Sequence, residues 1–571
     1  MTIRLLAPLT LLTVLGACAQ TLSPPVSADR AFVGEVSAAD PRAQEAGMAM
    51  LRQGGNATDA AIATMLALTV VEPQSSGIGG GGFFVRGTAA GAVTSIDGRE
   101  TAPAGASPDW FLDAAGQVPP FETSQASGLS VGVPGNVMLA WEAHRRFGKL
   151  PWAALVKPAE TLARDGFVIN QQLFNSARMN RALAAAQPDG RAWLYGADGS
   201  PKPAGTRVTN AALADTFAAI ATEGPQAFYR GPRAEAIART VAAATPRPRP
   251  MTPSDIAAYQ ARERPAVCGR YRGYRICGMG PPSSGGMAII GMLGMLERFD
   301  LKALGAQNPV TWHLFVEAQR LAYADRELYA ADGDFVTVPV QGLTDPAYLA
   351  ERSKLIASDR SLAVVAPGKP AGAPLALADG DEAAENGTSH FAAVDASGTM
   401  VSYTSTIESA FGSGLMANGF YLNNELTDFS RAPVGPDGKP VANRVEPGKR
   451  PRSSMAPTVV WDPQGRPVLA VGAAGGPTIP VSTARAIIGV IDFGLSPREA
   501  LALPFLMAMG DQVLLEKGTW LEGAADRFRS LGHSQLSIRE APIKAGAVGR
   551  IGEGKWQAAR DPRVESNVQV P

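Results

Sequence analysis

One stretch of the chain decides the fold, and it reads Asn386-Gly387-Thr388-Ser389-His390-Phe391-Ala392-Ala393-Val394-Asp395-Ala396-Ser397-Gly398-Thr399-Met400-Val401-Ser402-Tyr403-Thr404-Ser405-Thr406. Residues 389–395 and 399–406 are rich in Thr, Val, Tyr and Phe, and an Asp-Ala-Ser-Gly turn separates them, so they predict a β-hairpin. Closing that turn places Thr388 opposite Ser405, within one residue of Thr406. Taken alone, this is a hairpin with hydroxyl groups at one end, because Thr is common in strands.

The predicted secondary structure differs on the two sides of this hairpin. Before it, apolar residues recur at helical spacing, and the predicted helices span residues 40–53, 56–69, 134–147, 152–165, 211–223, 233–243, 287–298 and 310–329. Short β-rich runs between them cover residues 83–86, 92–97 and 274–278. After the hairpin, strand-like runs cover residues 457–461, 467–472, 512–516 and 535–540, with one helix at 481–493. The pattern is mixed α and β, and residues 375–386 read as an exposed acidic loop.

Composition indicates a large folded core and argues against several classes of partner. Of the 571 residues, 46% are hydrophobic and 18% are charged, which is typical of a globular protein rather than a disordered one. The chain has 52 Lys and Arg residues and 52 Asp and Glu residues, so its net charge is zero. Charge therefore gives no reason to expect nucleic acid or an anionic membrane surface as a partner.

The first residues read as an export signal over residues 1–18. Arg4 supplies a positive charge, and the apolar run at 5–16 is too short to span a bilayer. The run ends in Leu15-Gly16-Ala17-Cys18, which resembles a bacterial lipobox and predicts lipidation of Cys18. Ordinary signal cleavage near Ala17 or Ala19 is the alternative. Both interpretations predict export to the bacterial periplasm or envelope, and no later stretch is long and apolar enough to cross a membrane.

Two further cysteines, Cys268 and Cys277, flank a predicted hairpin. A tight turn at Arg272-Gly273 would place the two thiols directly opposite each other, and an oxidising compartment would permit a disulfide. Two free thiols near a strand pair are an equally open interpretation.

Two short motifs match by accident, and no metal or cofactor site is predicted. Residues 77–82 fit G-x-G-x-x-G, but a strand-like run follows them where a dinucleotide site needs a helix, so they read as a tight Gly-rich turn. Residues 128–132 fit G-x-S-x-G, but polar residues precede them where a nucleophile elbow needs a buried strand. The four histidines lack metal-ligand spacing.

Several ordered motifs resemble the γ-glutamyltranspeptidase (glutathione hydrolase) family of N-terminal-nucleophile (Ntn) hydrolases. They are Asn56-Ala57-Thr58-Asp59-Ala60-Ala61, Asp97-Gly98-Arg99-Glu100-Thr101-Ala102-Pro103, Pro281-Pro282-Ser283-Ser284-Gly285-Gly286, Gly387-Thr388-Ser389-His390-Phe391, Leu422-Asn423-Asn424-Glu425-Leu426-Thr427-Asp428-Phe429-Ser430, Arg450-Pro451-Arg452-Ser453-Ser454-Met455 and Gly472-Ala473-Ala474-Gly475-Gly476. The resemblance covers residues 37–563. It implies an α+β fold, the four-layer αββα sandwich, with cleavage between Gly387 and Thr388 into a large subunit (19–387) and a small subunit (388–571).

The resemblance also implies the roles of the site residues. Thr388 would be the nucleophile, first in cutting its own chain and then on substrate, and its freed α-amine would be the base. Gly387 would admit the backbone strain that the cut needs. The other implied residues are Thr406 to orient Thr388, Gly475 and Gly476 as oxyanion donors, Arg99 for a substrate carboxylate with Ser453 and Ser454 beside it, and Glu425 and Asp428 for an ammonium group. Singly, Arg99 could equally be a surface ion pair and the two serines a cap or turn.

Two departures from the family pattern leave the substrate open. Glu408 stands where the family commonly has Asn, so a third carboxylate would strengthen ammonium binding, alter substrate choice or acquire a raised pKa. Residues 430–450 form a shorter segment than the family's lid and contain no aromatic residue. The leading hypothesis is hydrolysis of glutathione or a related γ-glutamyl amide, or transfer of its acyl group, without a cofactor. A glutaryl or cephalosporin-type acylase and a non-catalytic envelope lipoprotein that binds peptides are the alternatives.

Overall fold

The computed structural model describes residues 32–374 and 387–569. The predicted signal, Cys18, the start of the large subunit and the acidic loop at 375–386 lie outside the described residues. The strands are β1 Gly34–Ser37, β2 Gly81–Gly87, β3 Val93–Gly98, β4 Phe167–Val168, β5 Arg207–Val208, β6 Arg262–Arg264, β7 Val267–Tyr271, β8 Tyr274–Gly278, β9 Ser389–Asp395, β10 Met400–Thr406, β11 Met416–Ala417, β12 Phe420–Tyr421, β13 Thr458–Trp461, β14 Pro467–Ala474, β15 Leu506–Met509, β16 Gln512–Glu516, β17 Gln535–Arg539, β18 Lys544–Gly552 and β19 Lys555–Arg560.

The helices lie mainly before Gly387. They are α1 Pro41–Arg52, α2 Ala57–Val71, α3 Phe121–Gln125, α4 Asn136–Phe147, α5 Trp152–Asp165, α6 Gln171–Met179, α7 Arg181–Ala184, α8 Pro188–Leu194, α9 Ala211–Glu223, α10 Gln226–Tyr229, α11 Gly231–Ala243, α12 Pro253–Ala257, α13 Gly285–Leu296, α14 Leu301–Leu304, α15 Pro309–Tyr329, α16 Val340–Leu343, α17 Pro346–Ser353, α18 Thr478–Ile491, α19 Pro497–Ala502, α20 Trp520–Gly523, α21 Ala525–Ser530 and α22 Pro562–Val568. Over the residues described, no helix combines the length and apolarity that a membrane span requires.

Two six-stranded antiparallel sheets form the centre of the fold. The first has the order β1-β9-β10-β2-β3-β6, and the second has the order β19-β18-β14-β13-β8-β7. Strands β9 and β10 pack face to face on β14 and β18, helices α2 and α4 cover the first sheet, and α13 and α18 cover the second. This is the predicted four-layer αββα sandwich. Both sheets take strands from either side of Gly387, so the two predicted subunits share one core.

Helix α2 shows why the first layer packs so closely. Every residue of α2 is buried, and its many alanines let neighbouring helices and the sheet approach its backbone. Its N-terminus has a capping box between Asn56 and Asp59. The carboxylate of Asp395, at the tip of the hairpin, also accepts from the Ala57 amide at 3.1 Å. Strand β9 is thereby tied to the helix that covers it.

The central hairpin forms where predicted, but its register differs by one residue. Ser405 pairs with Ser389, so Thr388 lies beside Thr406 and not opposite Ser405. The loop is one residue longer than expected because the Asp395 amide donates to the Thr399 carbonyl at 3.1 Å. Gly398 takes φ +77°, a left-handed conformation that suits glycine. The shift brings Thr388 and Thr406, two hydroxyl side chains, together.

The second predicted hairpin joins β7 to β8. Cys268 pairs directly with Cys277, and the two form a disulfide. Arg272 and Gly273 both have positive φ, as the tight turn requires. The structure therefore has the disulfide and not the two free thiols.

Candidate active site

Thr388 lies at the entrance to β9 in a network of hydroxyl groups. It is 1% exposed, and its Oγ1 donates to Thr406 Oγ1 at 3.1 Å. Thr388 Oγ1 is also within hydrogen-bonding reach of the Gly387 carbonyl oxygen. Thr406 Oγ1 in turn donates to that same carbonyl at 3.0 Å and accepts from the Glu408 amide at 2.8 Å. The nucleophile, its neighbour and the carbonyl of the predicted cleavage bond therefore meet at one point.

Gly387 is required here by close approach. Its amide donates to the Glu408 carbonyl at 2.7 Å. A Cβ at this position would lie 2.5 Å from that carbonyl oxygen and 2.8 Å from the Ser409 carbonyl oxygen. Any side chain would push the cleavage bond away from Thr406.

Gly475 and Gly476 form the turn between β14 and α18. Their φ angles are +123° and +57°, so both positions favour glycine. A Cβ on Gly475 would also lie 2.6 Å from the Pro542 carbonyl oxygen. Neither amide donates to another group among the described residues. This geometry can present N–H groups to a developing oxyanion.

His390 packs β9 against the second sheet. Its Nδ1 hydrogen-bonds with Thr404 Oγ1 at 2.9 Å, and a Cβ on Gly472 of β14 would lie 2.5 Å from the ring. Burial lowers the pKa of His390 to about 3, so the ring is neutral. A neutral, buried ring is a packing element, which leaves Thr388 without a histidine base at this position.

Arg99 is the centre of a buried ionic cluster. Its guanidinium pairs with Glu425 and with Asp428, and it donates to the carbonyl of Arg452 at 2.8 Å and to that of Pro451 at 3.3 Å. Arg99 is 1% exposed, so it is not the surface ion pair that was its alternative interpretation. The resemblance implied that Arg99 binds a substrate carboxylate and that Glu425 and Asp428 bind a substrate ammonium. In this structure Arg99 instead pairs with the two acids. They satisfy each other because a buried charge needs a partner.

Glu408 and Glu100 add two more buried carboxyl groups to this cluster. Burial, followed by the charges of Asp428 and Glu425, raises the pKa of Glu408 well above its ordinary value. Glu408 accepts from Ser409 Oγ and from the Asn424 side-chain amide, and its Oε1 lacks a partner among the described residues. Burial raises the pKa of Glu100 to about 8. Sequence reasoning gave Glu100 no role, although it directly follows Arg99.

Ser453 and Ser454 lie in a segment that is hydrogen-bonded to the Pro281–Gly286 motif. The Ser284 amide donates to the Ser453 carbonyl at 2.8 Å, and Ser453 Oγ accepts from the Met455 amide at 3.2 Å. Ser454 Oγ accepts from Arg326 of α15 at 2.6 Å. Arg326 is a second buried guanidinium that the sequence did not single out. The two serines directly follow Arg452, whose carbonyl contacts Arg99.

Three more features of the sequence have defined positions: the Gly-rich stretch at 77–82, the G-x-S-x-G match at 128–132 and the lid segment at 430–450. A Cβ on Gly80 would lie 1.9 Å from the Thr406 carbonyl oxygen, so the Gly-rich stretch is a close backbone contact beneath the site. Ser130 Oγ donates to the Gln125 carbonyl at 2.8 Å within a 3-10 turn, not at a nucleophile elbow. The short lid segment lies against a neighbouring loop, where Arg431 donates to the Pro119 carbonyl at 2.8 Å.

Three potential metal ligands that the sequence analysis did not single out come together in the structure. Single ligand atoms of His313, Glu317 and His533 lie within 4.8 Å of one another. The two rings share a hydrogen bond at 2.7 Å, and Arg320 donates to Glu317 at 2.9 Å. These groups satisfy one another without an ion. Spacing did not reveal the cluster, because His533 is far from the other two residues in the sequence.

A buried hydroxyl residue directly before a central strand of an αββα sandwich is typical of the class of Ntn hydrolases. The family described as Gamma-glutamyltranspeptidase matches residues 43–570. The glutathione hydrolase proenzyme of Escherichia coli (strain K12) is 36% identical over 550 residues, which cover 94% of this chain and 91% of that protein. The acylase ACY 1 proenzyme of Pseudomonas sp. (strain V22) is 35% identical over 525 residues, covering 91% of this chain and 89% of that protein.

A solved structure shows the same fold. The cephalosporin acylase from Bacillus halodurans has a TM-score of 0.80 at 26% identity, covering 95% of this chain and 98% of that chain. The chain belongs to the γ-glutamyltranspeptidase family.

Proposed function

We propose that the protein hydrolyses glutathione and related γ-glutamyl amides, and transfers the γ-glutamyl group to amino acids or peptides, through an ester on Thr388. The observation that carries this proposal is the position of Thr388 Oγ1. It lies against Thr406 and the Gly387 carbonyl, and Thr406 Oγ1 accepts from the amide of Glu408, whose carboxyl group belongs to the buried cluster around Arg99. A nucleophile and a site for a charged amino-acid head are thereby adjacent.

The first step is cleavage of the chain between Gly387 and Thr388. Thr388 Oγ1 attacks the Gly387 carbonyl carbon while its proton passes to Thr406, whose own proton passes to the carbonyl oxygen. The intermediate collapses with rupture of the C–N bond as the proton on its oxygen passes to the nitrogen, leaving an ester on Oγ1 and a free α-amine. Water then hydrolyses the ester, which gives a carboxylate on Gly387 and restores the hydroxyl.

The second step uses the amine that the first step releases. An α-amine has an ordinary pKa of about 7.7–8.0, so roughly a tenth to a sixth of it is neutral at pH 7, and that neutral form can accept the Thr388 proton. The hydroxyl attacks the γ-amide, Gly475 and Gly476 donate to the oxyanion, and the protonated amine protonates the departing nitrogen. Water or an amino acid then takes the acyl group from the ester.

The ionic cluster favours a substrate with both charges of an amino acid. Arg99 offers a guanidinium fork for the α-carboxylate. Glu408, Glu425 and Asp428 offer oxygens to an α-ammonium, and arrival of that ammonium would replace the guanidinium as their partner. A glutaryl group has no ammonium, so it would leave these acids without a compensating charge. Relatives named glutathione hydrolase support γ-glutamyl amides as the substrate class, and relatives named acylase support the glutaryl amides as the alternative.

A direct comparison of two chromogenic amides tests the substrate class. The purified protein should turn over γ-glutamyl p-nitroanilide with a kcat/KM at least tenfold above that for glutaryl p-nitroanilide, because only the first carries the ammonium. A preference for the glutaryl amide would assign the protein to the acylases. A protein that remains one uncut chain and cleaves neither amide would favour the peptide-binding lipoprotein.

We further propose export to the envelope, with Cys18 as the lipidated residue. The apolar run before Cys18 is typical of an export signal, and the Cys268–Cys277 disulfide suits an oxidising compartment. Labelling cells with a fatty-acid probe should mark the wild type and spare C18S. Absence of label in both proteins would favour ordinary signal cleavage, and equal labelling of both would exclude Cys18 as the lipidated residue.

A further inference from the structure

A second polar cluster lies behind the nucleophile. Ser389 Oγ donates to Glu72 Oε2 at 2.6 Å, and Lys544 Nζ donates to the same carboxylate oxygen at 3.2 Å. Lys544 also donates to Ser75 Oγ at 3.2 Å and lies 3.5 Å from Ser389 Oγ. Glu72 is buried, and the side chain of Lys544 is 13% exposed. None of these side chains has a part in the chemistry described above.

The positions of the three linked residues connect the two halves of the site. Glu72 follows the last residue of α2, and Ser389 directly follows Thr388. Lys544 begins β18, where it pairs with Ala474, the residue before Gly475. The chain Ser389–Glu72–Lys544, which we name the Lys544 bridge, therefore spans from the first sheet to the second. One of its ends holds the nucleophile strand, and the other holds the strand beside the oxyanion turn.

Cleavage makes this bridge important. Once the Gly387–Thr388 bond is broken, Thr388 is held covalently only through Ser389, and the hydroxyl network with the Gly387 carbonyl is lost. Fixing the Ser389 side chain then limits where Thr388 can lie. A displacement of about 1 Å between reacting groups can cost a factor of about 100 in rate.

We infer that Lys544 is a positioning residue, which through Glu72 and Ser389 holds the new N-terminal Thr388 in line with the Gly475-Gly476 turn. A cation is needed there because Glu72 is buried, and Lys544 is its one salt-bridge partner among the described residues. This inference rests on the proposed function, since it assumes that Thr388 becomes the terminal nucleophile.

The test compares K544M and K544R with the wild type, after mass spectrometry has shown that each protein is fully processed. Met keeps an unbranched apolar stem and removes the ammonium, whereas Arg keeps a cation. We expect K544M to lower kcat about 10- to 100-fold with KM changed less than about threefold, because the defect is in alignment and not in binding. K544R should recover a substantial part of kcat. K555M, at the exposed first residue of β19, is the matched control and should behave as the wild type.

S389A provides a second, smaller perturbation in case K544M does not fold. It removes one link of the bridge and should also lower kcat, and the S389A/K544M double variant should be no slower than the slower single variant. An unchanged kcat in K544M, a K544R no better than K544M, or fully additive losses would overturn the inference. If K544M does not fold, an unchanged kcat in S389A would do so.

Activity is followed with whichever anilide the wild type cleaves. If the wild type prefers the glutaryl amide, γ-glutamyl amides are not its substrate class, but the role of Lys544 can still be tested with the glutaryl amide. A wild type that cleaves neither amide would overturn both proposals.

Discussion

Replacing Thr406 by Val removes one hydroxyl group from the centre of the proposed machinery with little change in shape. Thr406 Oγ1 takes part in hydrogen bonds with Thr388 Oγ1 at 3.1 Å, the Gly387 carbonyl at 3.0 Å and the Glu408 amide at 2.8 Å. T406V loses all three. The first two involve the attacking oxygen and the carbonyl that it attacks.

The size of the effect follows from those contacts. Loss of one donor to a developing oxyanion costs about 2.7–4 kcal/mol, or roughly 100- to 1000-fold in rate. Loss of the proton relay acts on the same step, so chain cleavage in T406V should slow by at least about 100-fold. The Glu408 amide is left buried without its acceptor, which should lower the free energy of unfolding by about 1–3 kcal/mol.

The assay is a time course of precursor disappearance on a denaturing gel, starting from freshly purified uncut protein. T406S is the matched control, because it keeps the hydroxyl and should process within about tenfold of the wild type. Circular dichroism of each precursor separates slow chemistry from misfolding. A folded T406V that processes at the wild-type rate would show that Thr406 has no part in the cleavage.

Three further predictions concern stability. Because the pKa of Glu100 is raised to about 8, the folded state holds that proton more tightly than the unfolded chain does. The contribution of Glu100 to the free energy of unfolding is therefore fully present below about pH 4.5 and is lost as pH rises through about 8. E100Q should flatten this decline in denaturant unfolding, and an identical decline in both proteins would contradict the assignment. Because burial lowers the pKa of His533 to about 3, its contribution is present above about pH 6.5 and is lost as pH falls toward 3. H533Q should therefore lose less stability than the wild type on acidification. Equal changes in Tm between about pH 7 and pH 5 in the two proteins would contradict this prediction. Removing the Cys268–Cys277 disulfide, which closes a separation of 9 residues, should lower the free energy of unfolding by about 2–3 kcal/mol. Equal urea midpoints for the wild type and C268S/C277S would contradict this.

Much of the fold was predictable because its central elements are periodic and uniformly buried. The bounds of α5, α9, β8, β9 and β16 match the sequence-based ranges. Strands β18 and β19 were missed because Lys544–Gly552 is rich in Gly and Ala and lacks the alternation typical of a strand. Pairing with β14 imposes the extended conformation there. The register error in the central hairpin arose from one extra loop residue, which hydrophobic pattern alone does not specify.

The site was predictable only in part. The resemblance named Arg99, Glu425 and Asp428, and the structure brings them together although Arg99 lies 326 residues before Glu425. Their mutual pairing was not foreseen, because the resemblance implied a role for each residue toward substrate and no contacts among the residues themselves. Lys544 and the His313–His533 pair were also missed. Such contacts depend on tertiary packing, and no local spacing marks them.

Intact-mass measurement of the purified wild type and of T388A shows directly whether Thr388 is the nucleophile. The wild type should consist of two chains, one ending at Gly387 and the other beginning at Thr388, and it should hydrolyse γ-glutamyl p-nitroanilide. T388A should remain a single chain without turnover. Fragments with the same termini in T388A, together with undiminished turnover, would contradict Thr388 as the nucleophile of either reaction.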